Sequence, residues 1–389
     1  MKLKMGKLEP LYSAVLMLFF LWLFLLSIKL LGDSFKHFFE SDAKDLIKNA
    51  TGNPLVSLFI GILATSIVQS SSTTTSIIVA FVGCGTLPMV NAVPMVMGAN
   101  IGTSITNTIV SFGSVRNKIE FQRSFGAAVV HDFFNWLSVL LFLPIEIITS
   151  RVNENGEAIG GFIARSATYI TELIYGTQGV KFESPLDSIV KPVSKFLEHN
   201  VSSITGLSME KGEYSLGLLI ILVILSLVML FISLKFMSTI MKKLLIGKFE
   251  AYLHRFVFNN PIIAFVFGIL FTMSVQSSSI TTSIIVPLCG AGILTIEQIF
   301  PYTIGANIGT TITGILASLV SGKIDGIVIA LVHTLFNIFG AIVFIPLKFL
   351  PINIAKWLAV RAANNKIFAV GFVITVFFIL PLVLIILER

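Results

Sequence analysis

The run Gln69-Ser70-Ser71-Ser72-Thr73-Thr74-Thr75-Ser76-Ile77-Ile78-Val79 recurs as Gln276-Ser277-Ser278-Ser279-Ile280-Thr281-Thr282-Ser283-Ile284-Ile285-Val286. The offset of 207 residues that separates Gln69 from Gln276 also separates Gly98-Ala99-Asn100-Ile101-Gly102-Thr103 from Gly305-Ala306-Asn307-Ile308-Gly309-Thr310. A register shared over this length points to a duplicated chain. No Asp, Glu, Lys or Arg occurs from 53 to 115 or from 256 to 296. Both hydroxyl-rich runs therefore sit where bulk water is least able to solvate them, and their polar groups are neutral.

Working outward, 55% of the 389 residues are hydrophobic and 12% are charged, against about 25% charged in soluble domains. With a mean hydropathy of +0.93, the chain reads as a multi-spanning membrane protein. Lys2, Lys4 and Lys7 precede an apolar stretch that continues from Leu11 past Lys29 to Leu31. It exceeds the roughly 7 to 15 residues of a signal-peptide core and has no small-x-small cleavage site, so the expectation is a retained first span. Cys84 and Cys289 do not occupy equivalent repeat positions; they read as packing thiols and give neither a disulfide nor a transition-metal framework. The net charge of +7 implies no nucleic-acid partner, because the cytoplasmic loops of membrane proteins gather Lys and Arg.

Each half reads in one order. A span (Leu11 to Leu31, then Leu216 to Met241) is followed by a polar linker and then by Asn53-Pro54 or Asn260-Pro261, which opens an apolar arm leading to the Gln-Ser-Ser-Ser run. A second arm returns. Each arm holds roughly 15 residues, short of the about 20 a helix needs to cross the hydrocarbon, so a re-entrant hairpin is expected with its tip at 69–75 or 276–282. A third element carries Pro94 or Pro301 ahead of the Gly-Ala-Asn-Ile-Gly-Thr motif, and a fourth carries His131, Asn135 and Pro144 or His333, Asn337 and Pro346. Lys and Arg gather at Arg116, Lys118 and Arg123, at Lys242, Lys243, Lys248 and Arg255, and at Lys348, Lys356, Arg361 and Lys366. All three groups fall inside if the N-terminus is inside. Three crossings per half then make the second half enter from the opposite side.

The expected fold class is all-α: a polytopic transporter with two inverted-topology repeats, each with a re-entrant hairpin and a broken transmembrane helix. The expected divisions are a first repeat at 1–149, an external loop at 150–214, a second repeat at 215–350, and a linker with one further span at 351–389.

A hairpin tip inside a membrane leaves backbone groups unpaired, and Gln, Ser and Thr side chains supply neutral donors and acceptors beside them. N–H groups that open a half-helix favour an anion, and carbonyls that end one favour a cation. Ser and Thr can also simply join helices, but two duplicated runs that include Gln argue for an ion site. The spacings Gly98-x-x-x-Gly102 and Gly305-x-x-x-Gly309 fit helix packing. Asn100 and Asn307, flanked by Gly with Pro nearby, suggest instead a local break that offers amide and carbonyl oxygens to a small cation, with Thr103, Ser104, Thr310 and Thr311 adding hydroxyls. His131 with Asn135, and His333 with Asn337, lie four apart on one helix face and read as hydrogen bonding between helices. Asp132 is not repeated, since Thr334 takes its place. No nucleophile elbow, metal-spaced His pair or phosphate-binding Gly-Lys loop is present, so an enzyme is not expected.

The duplicated Gln-Ser-Ser-Ser run followed by Gly-Ala-Asn-Ile-Gly-Thr resembles the type II sodium/phosphate cotransporter family, over roughly residues 11 to 350. The resemblance implies sodium-driven import of inorganic phosphate by alternating access in a multi-pass plasma-membrane protein, or the inner membrane of a bacterium. It implies substrate binding by Gln69, Ser70, Ser71, Ser72, Thr73, Gln276, Ser277, Ser278 and Ser279. Sodium would be held by Thr74, Asn100, Thr103, Ser104, Thr281, Asn307, Thr310 and Thr311. Phosphate, sodium and the bilayer are then the partners, with sodium a co-transported ligand and no further cofactor. The alternatives are a sodium-coupled carrier of another oxyanion (sulfate or a dicarboxylate), a cation channel, and an intramembrane hydrolase using Ser with His131 or His333.

Overall fold

The computed structural model describes residues 9–40, 53–151, 160–175, 186–207, 209–210, 213–252, 257–321 and 323–388. Lys2, Lys4, Lys7 and Arg255, used above to orient the chain, lie outside them. In the first half the helices are α1 (Glu9–Glu40), α2 (Pro54–Val68), α3 (Ser71–Gly83), α4 (Met89–Thr103), α5 (Ile105–Ser111) and α6 (Lys118–Thr149). The connecting segment holds α7 (Phe162–Tyr175), α8 (Asp187–Thr205) and a minimal antiparallel hairpin of β1 (Met209–Glu210) and β2 (Glu213–Tyr214). The second half has α9 (Leu216–Tyr252), α10 (Pro261–Val275), α11 (Ser278–Ser283), α12 (Ile285–Gly290), α13 (Ile296–Ser318) and α14 (Ile324–Phe344). Then follow α15 (Phe349–Asn364), α16 (Lys366–Ile374), a π-helical turn Thr375–Ile379, and α17 (Leu380–Leu387).

Among the described residues, five stretches are long and apolar enough to cross a membrane: Tyr12–His37, Lys118–Thr149, Leu216–Met241, Ile324–Phe344 and Lys366–Leu387. The protein is an all-α, polytopic membrane protein. With 15 and 13 residues, α2 and α3 each reach only about 20 Å at 1.5 Å per residue, against a hydrocarbon thickness of about 30 Å.

The short arms begin where the sequence provides a cap. Asn53 Oδ1 accepts from Leu55 N at 2.8 Å and Asn260 Oδ1 from Ile262 N at 2.8 Å, while Pro54 and Pro261 occupy the first helical position, where no N–H is needed. α2 ends at Gln69 and α10 at Gln276. These are the only non-glycine residues with positive φ among those described, both at 56°. The left-handed residue sends the chain back after one more step, through extended Ser70 or Ser277. A two-residue turn thus joins the arms, and the hydroxyl run forms the opening turns of the returning helix.

Backbone-to-backbone packing holds each short arm against the next helix. A Cβ on Gly61 would lie 2.1 Å from Met95 O, one on Gly98 would lie 2.0 Å from Leu58 O, and one on Gly102 would lie 2.6 Å from Ile62 O. Between α10 and α13 the same contacts recur at the offset of 207: Gly268 to Tyr302 O at 2.3 Å, Gly305 to Phe265 O at 2.1 Å and Gly309 to Ile269 O at 2.5 Å. The glycines therefore serve close helix approach. The expected break at the Asn motif does not form, because Asn100 lies within α4 and Asn307 within an uninterrupted α13. Only the first half interrupts this element, at Ser104, four residues beyond Asn100.

Packing does not divide along the chain. One apolar core joins Phe24, Leu58, Ile62 and Val96 to Val328, Val332 and Phe336; another joins Phe121, Phe125 and Val130 to Phe271, Phe300 and Ile304. α3 lies against α13 and α14, and α6 against α12 and α15. This interleaving brings the two tips together.

Candidate functional site

The site grows from the two αL turns. Ser70 caps α3, its Oγ accepting from Thr73 N at 3.2 Å, and Ser277 caps α11 in the same way through Ile280 N at 3.4 Å. The hydroxyls that follow divide by what they do with their proton. Thr74, Thr75 and Ser76 donate to carbonyls three or four residues back, as does Thr281, while the single proton of Thr282 is shared between Ser278 O and Asn107 Oδ1. Ser71, Ser278 and Ser279 are buried, and their hydroxyls donate to no group among the described residues. The two tips touch directly, with Ser72 Oγ donating to Gln276 O at 3.0 Å. Gln276 is buried and its Oε1 has no hydrogen-bond partner among the described residues, whereas Gln69 is exposed.

Around the tips runs a buried amide and imidazole network that crosses between the halves. His131 Nε2 donates to Asn307 Oδ1, and His333 Nε2 donates to Asn100 Oδ1 at 3.0 Å. Each half's histidine thus holds the other half's signature asparagine. Asn307 Nδ2 donates to Asn135 Oδ1 at 2.7 Å, Asn135 Nδ2 to Asn100 O at 2.9 Å, and Asn337 Nδ2 to His333 O at 2.9 Å. Asn107 Oδ1 accepts from Thr282 Oγ1 at 2.9 Å, tying α5 to α11, while its Nδ2 faces His131 Nδ1 at 3.5 Å. The expected histidine and asparagine bonding between helices is present. With both Asn oxygens accepting from imidazole, each ring carries a proton on Nε2.

Of the residues singled out from sequence, Gln69 to Thr74 and Gln276 to Thr281 line the adjoining tips, and Asn100 and Asn307 lie in the network beside them. Thr103, Ser104, Thr310 and Thr311 are buried, but their hydroxyls donate only within their own helices. Sequence reasoning missed Asn107, placed Thr282 at the tip without a role, and set Asp132 aside. Asn107 lies seven residues beyond Asn100, close to two helical turns on, which was its available signal. Asp132 is fully buried in α6 with neither carboxyl oxygen meeting a donor at hydrogen-bonding geometry among the described residues, and the Thr108 hydroxyl beside it is committed to Ser104 O. A carboxylate at this depth is costly unless something compensates it. Among the described residues no group of three or more His, Cys, Asp or Glu could hold a metal ion.

Two cavities border this core. One, of about 400 Å³, is bounded by the far ends of α1 and α3, by α8, by Tyr214 and by the junction of α13 with α14. The other, of about 440 Å³, lies among Arg123, Gly292, Glu297 and Lys356.

The sequence profile of the family described as Na+/Pi-cotransporter matches residues 23–162 and 229–377. The chain is 36% identical to sodium-dependent phosphate transport protein 2A of Rattus norvegicus over 94% of its own length and 66% of that protein's. To sodium-dependent phosphate transport protein 2B of Homo sapiens it is 34% identical, over 95% of its own length and 64% of that protein's. The chain thus spans slightly less than two thirds of the length of these relatives. No solved structure matches it. Both matched segments contain the turn, the glycine contacts and the crosswise His and Asn pairs described above, and the chain belongs to the Na+/Pi-cotransporter family.

Proposed function

We propose that the protein imports inorganic phosphate across the plasma membrane, driven by sodium, with both ions held where the two αL turns meet. The observation that carries this reading is the meeting itself. Two helix starts with unspent serine hydroxyls adjoin at Ser72 and Gln276, within two long segments free of any charged residue. The opening N–H groups of α3 and α11 have no partner within their helices, and with the hydroxyls of Ser71, Ser278 and Ser279 they supply donors to an oxyanion. The printed names of the relatives, sodium-dependent phosphate transport proteins, support phosphate over sulfate or a dicarboxylate.

The division of hydroxyls supports a place for the cation. A hydroxyl that gives its proton to a carbonyl presents only lone pairs outward, which suits sodium. Thr74, Thr281, Thr103 and Thr310 are of this kind. Asn100 and Asn307 each keep a second lone pair on Oδ1 after accepting from histidine. Asp132, fully buried, supplies a carboxyl oxygen to a further cation, and that cation would hold the group ionised. A phosphate dianion with no Lys or Arg beside it is neutralised by co-bound sodium and helix N-termini. Each ion then raises the other's affinity, and that mutual dependence is the coupling.

Access alternates if one half-derived bundle moves against the other around the tips, as in transporters built from inverted repeats. The two cavities support the inverted arrangement. The end of α1 near His37, the end of α3 at Cys84, α8 and Ser321, which charge counting puts outside, line one cavity. Arg123, Gly292, Glu297 and Lys356, which it puts inside, line the other. Two substitutions test the assignment: Ser278→Ala raises the KM for phosphate more than the half-saturating sodium concentration, and Thr310→Val does the reverse. Equal effects of both variants on both ions would contradict it.

A further inference from the structure

The outer cavity is basic beyond anything the central site needs. Its wall carries Lys29, Lys36, Lys191, Lys195 and Lys323 against the carboxylates of Asp33 and Glu198. Both acids are already engaged. Asp33 pairs with Lys29 at 3.5 Å, and Glu198 accepts from the Tyr214 hydroxyl at 3.0 Å and from Ser194 at 3.3 Å. Lys323 shares its charge with Asp325 and with the carbonyl end of α3, where its Nζ stands 2.7 Å from the place a Cβ on Gly85 would take. Lys191 and Lys195 have no ion pair among the described residues, lie one turn apart on α8, and are exposed on the cavity wall. Two like charges at this spacing repel one another, so an anion between them relieves a cost that the apo helix bears.

The cavity is connected to the tips by the helices that build them. From Ser72 to Gly83 the axis of α3 covers about 17 Å, and α13 runs from Asn307 towards Ser318 along its flank. A volume of about 400 Å³ admits a hydrated oxyanion. We infer that this lysine-lined cavity is a second, sodium-independent oxyanion site that captures inorganic phosphate at the outer face before it passes to the tips. The inference rests on the import reading for the direction of passage, but not for the binding itself. Charge alone makes the outer site attractive to phosphate, whereas the charge-free tips require sodium. The two sites therefore differ in sodium dependence and in sensitivity to ionic strength.

The test uses the purified full chain and radiolabelled inorganic phosphate in choline buffer without sodium, comparing the unmodified protein with Lys191→Gln/Lys195→Gln and Lys191→Arg/Lys195→Arg. Weak phosphate binding in the unmodified protein and the Arg pair, lost in the Gln pair and weakened by added choline chloride, supports the outer site. In uptake assays the Gln pair then shows a KM for phosphate raised by about fivefold, which excess phosphate overcomes. Absence of sodium-free binding in the unmodified protein, or equal binding in the Gln pair, overturns the inference. Unchanged thermal unfolding of the Gln pair shows that its loss of binding is not misfolding. If no variant takes up phosphate but the binding pattern holds, the transport reading fails and the outer site stands. If uptake is sodium-driven with the same KM in all three proteins, the outer site fails and the transport reading stands.

Discussion

Gly98→Ala should destabilise the protein although alanine is the better helix former. The new Cβ would stand 2.0 Å from Leu58 O and 2.9 Å from Leu58 C, so α2 must retreat by about 1.4 Å to restore ordinary contact. The obstacle is the backbone of a packed helix, which places the cost near the upper end of overpacking, about 3 kcal/mol. Removing a helix-interior glycine returns about 1 kcal/mol. The net loss of about 2 kcal/mol corresponds to a fall of about 2.5 °C in the apparent Tm for a chain of this size. Gly371→Ala is the control, since nothing lies within 4 Å of a Cβ there; it should hold or raise the Tm. The assay is thermal unfolding of detergent-solubilised protein followed by tryptophan fluorescence. A Gly98→Ala protein as stable as Gly371→Ala would refute the packing account and restore the reading of a broken helix at Asn100.

In a double-mutant cycle, His131→Ala and Asn307→Ala should destabilise non-additively, with a coupling of about 1 kcal/mol; additive losses would mean that the crosswise bond contributes nothing. Asp132→Asn should raise the half-saturating sodium concentration while stability is kept or increased, because an amide is cheaper to bury than a carboxylate; unaltered sodium dependence would remove Asp132 from the cation site. Burial holds the Glu198 carboxyl above its ordinary value near 4.5, and neighbouring Asp33 pushes the same way against Tyr214, Ser194 and His37. The folded state therefore binds the Glu198 proton more tightly than the unfolded one, so this contribution is present below 4.5 and is lost as pH rises through the higher folded value. Glu198→Gln should flatten that part of the stability profile, and a profile unchanged in unfolding scans from acid to neutral pH would contradict it.

The parts of the fold legible in the sequence were those encoded locally or by periodicity. Asn-Pro announced each short arm, the length of the arms announced the hairpins, and the constant offset announced that whatever Gln69 does at a turn, Gln276 does again. What escaped were consequences of the halves interleaving. Gly98 to Gly102 fitted a packing face, but Asn100 between them tipped the reading towards a break, and only a partner helix with its carbonyls in place decides between the two. The hydroxyl run read as the loop of a tip; the αL residue at Gln69 compresses the turn to two residues and draws Ser71 onward into the helix. The histidine and asparagine pairs were legible as polar faces, but their crosswise partners lie 176 and 233 residues away. Asp132 was set aside because it is not repeated, and a position without symmetry is where one extra ion can be held.

The account stands most directly on whether the two ions need each other. Radiolabelled phosphate uptake should be measured in proteoliposomes of the purified protein under an inward sodium gradient, with equal potassium and choline gradients in parallel. The account predicts accumulation with sodium alone, abolished by excess unlabelled phosphate and not by sulfate, and half-saturating sodium that falls as phosphate rises. Equal uptake with all three cations, or none from protein shown to be folded and inserted, would contradict the claim that adjoining charge-free tips bind phosphate only together with sodium.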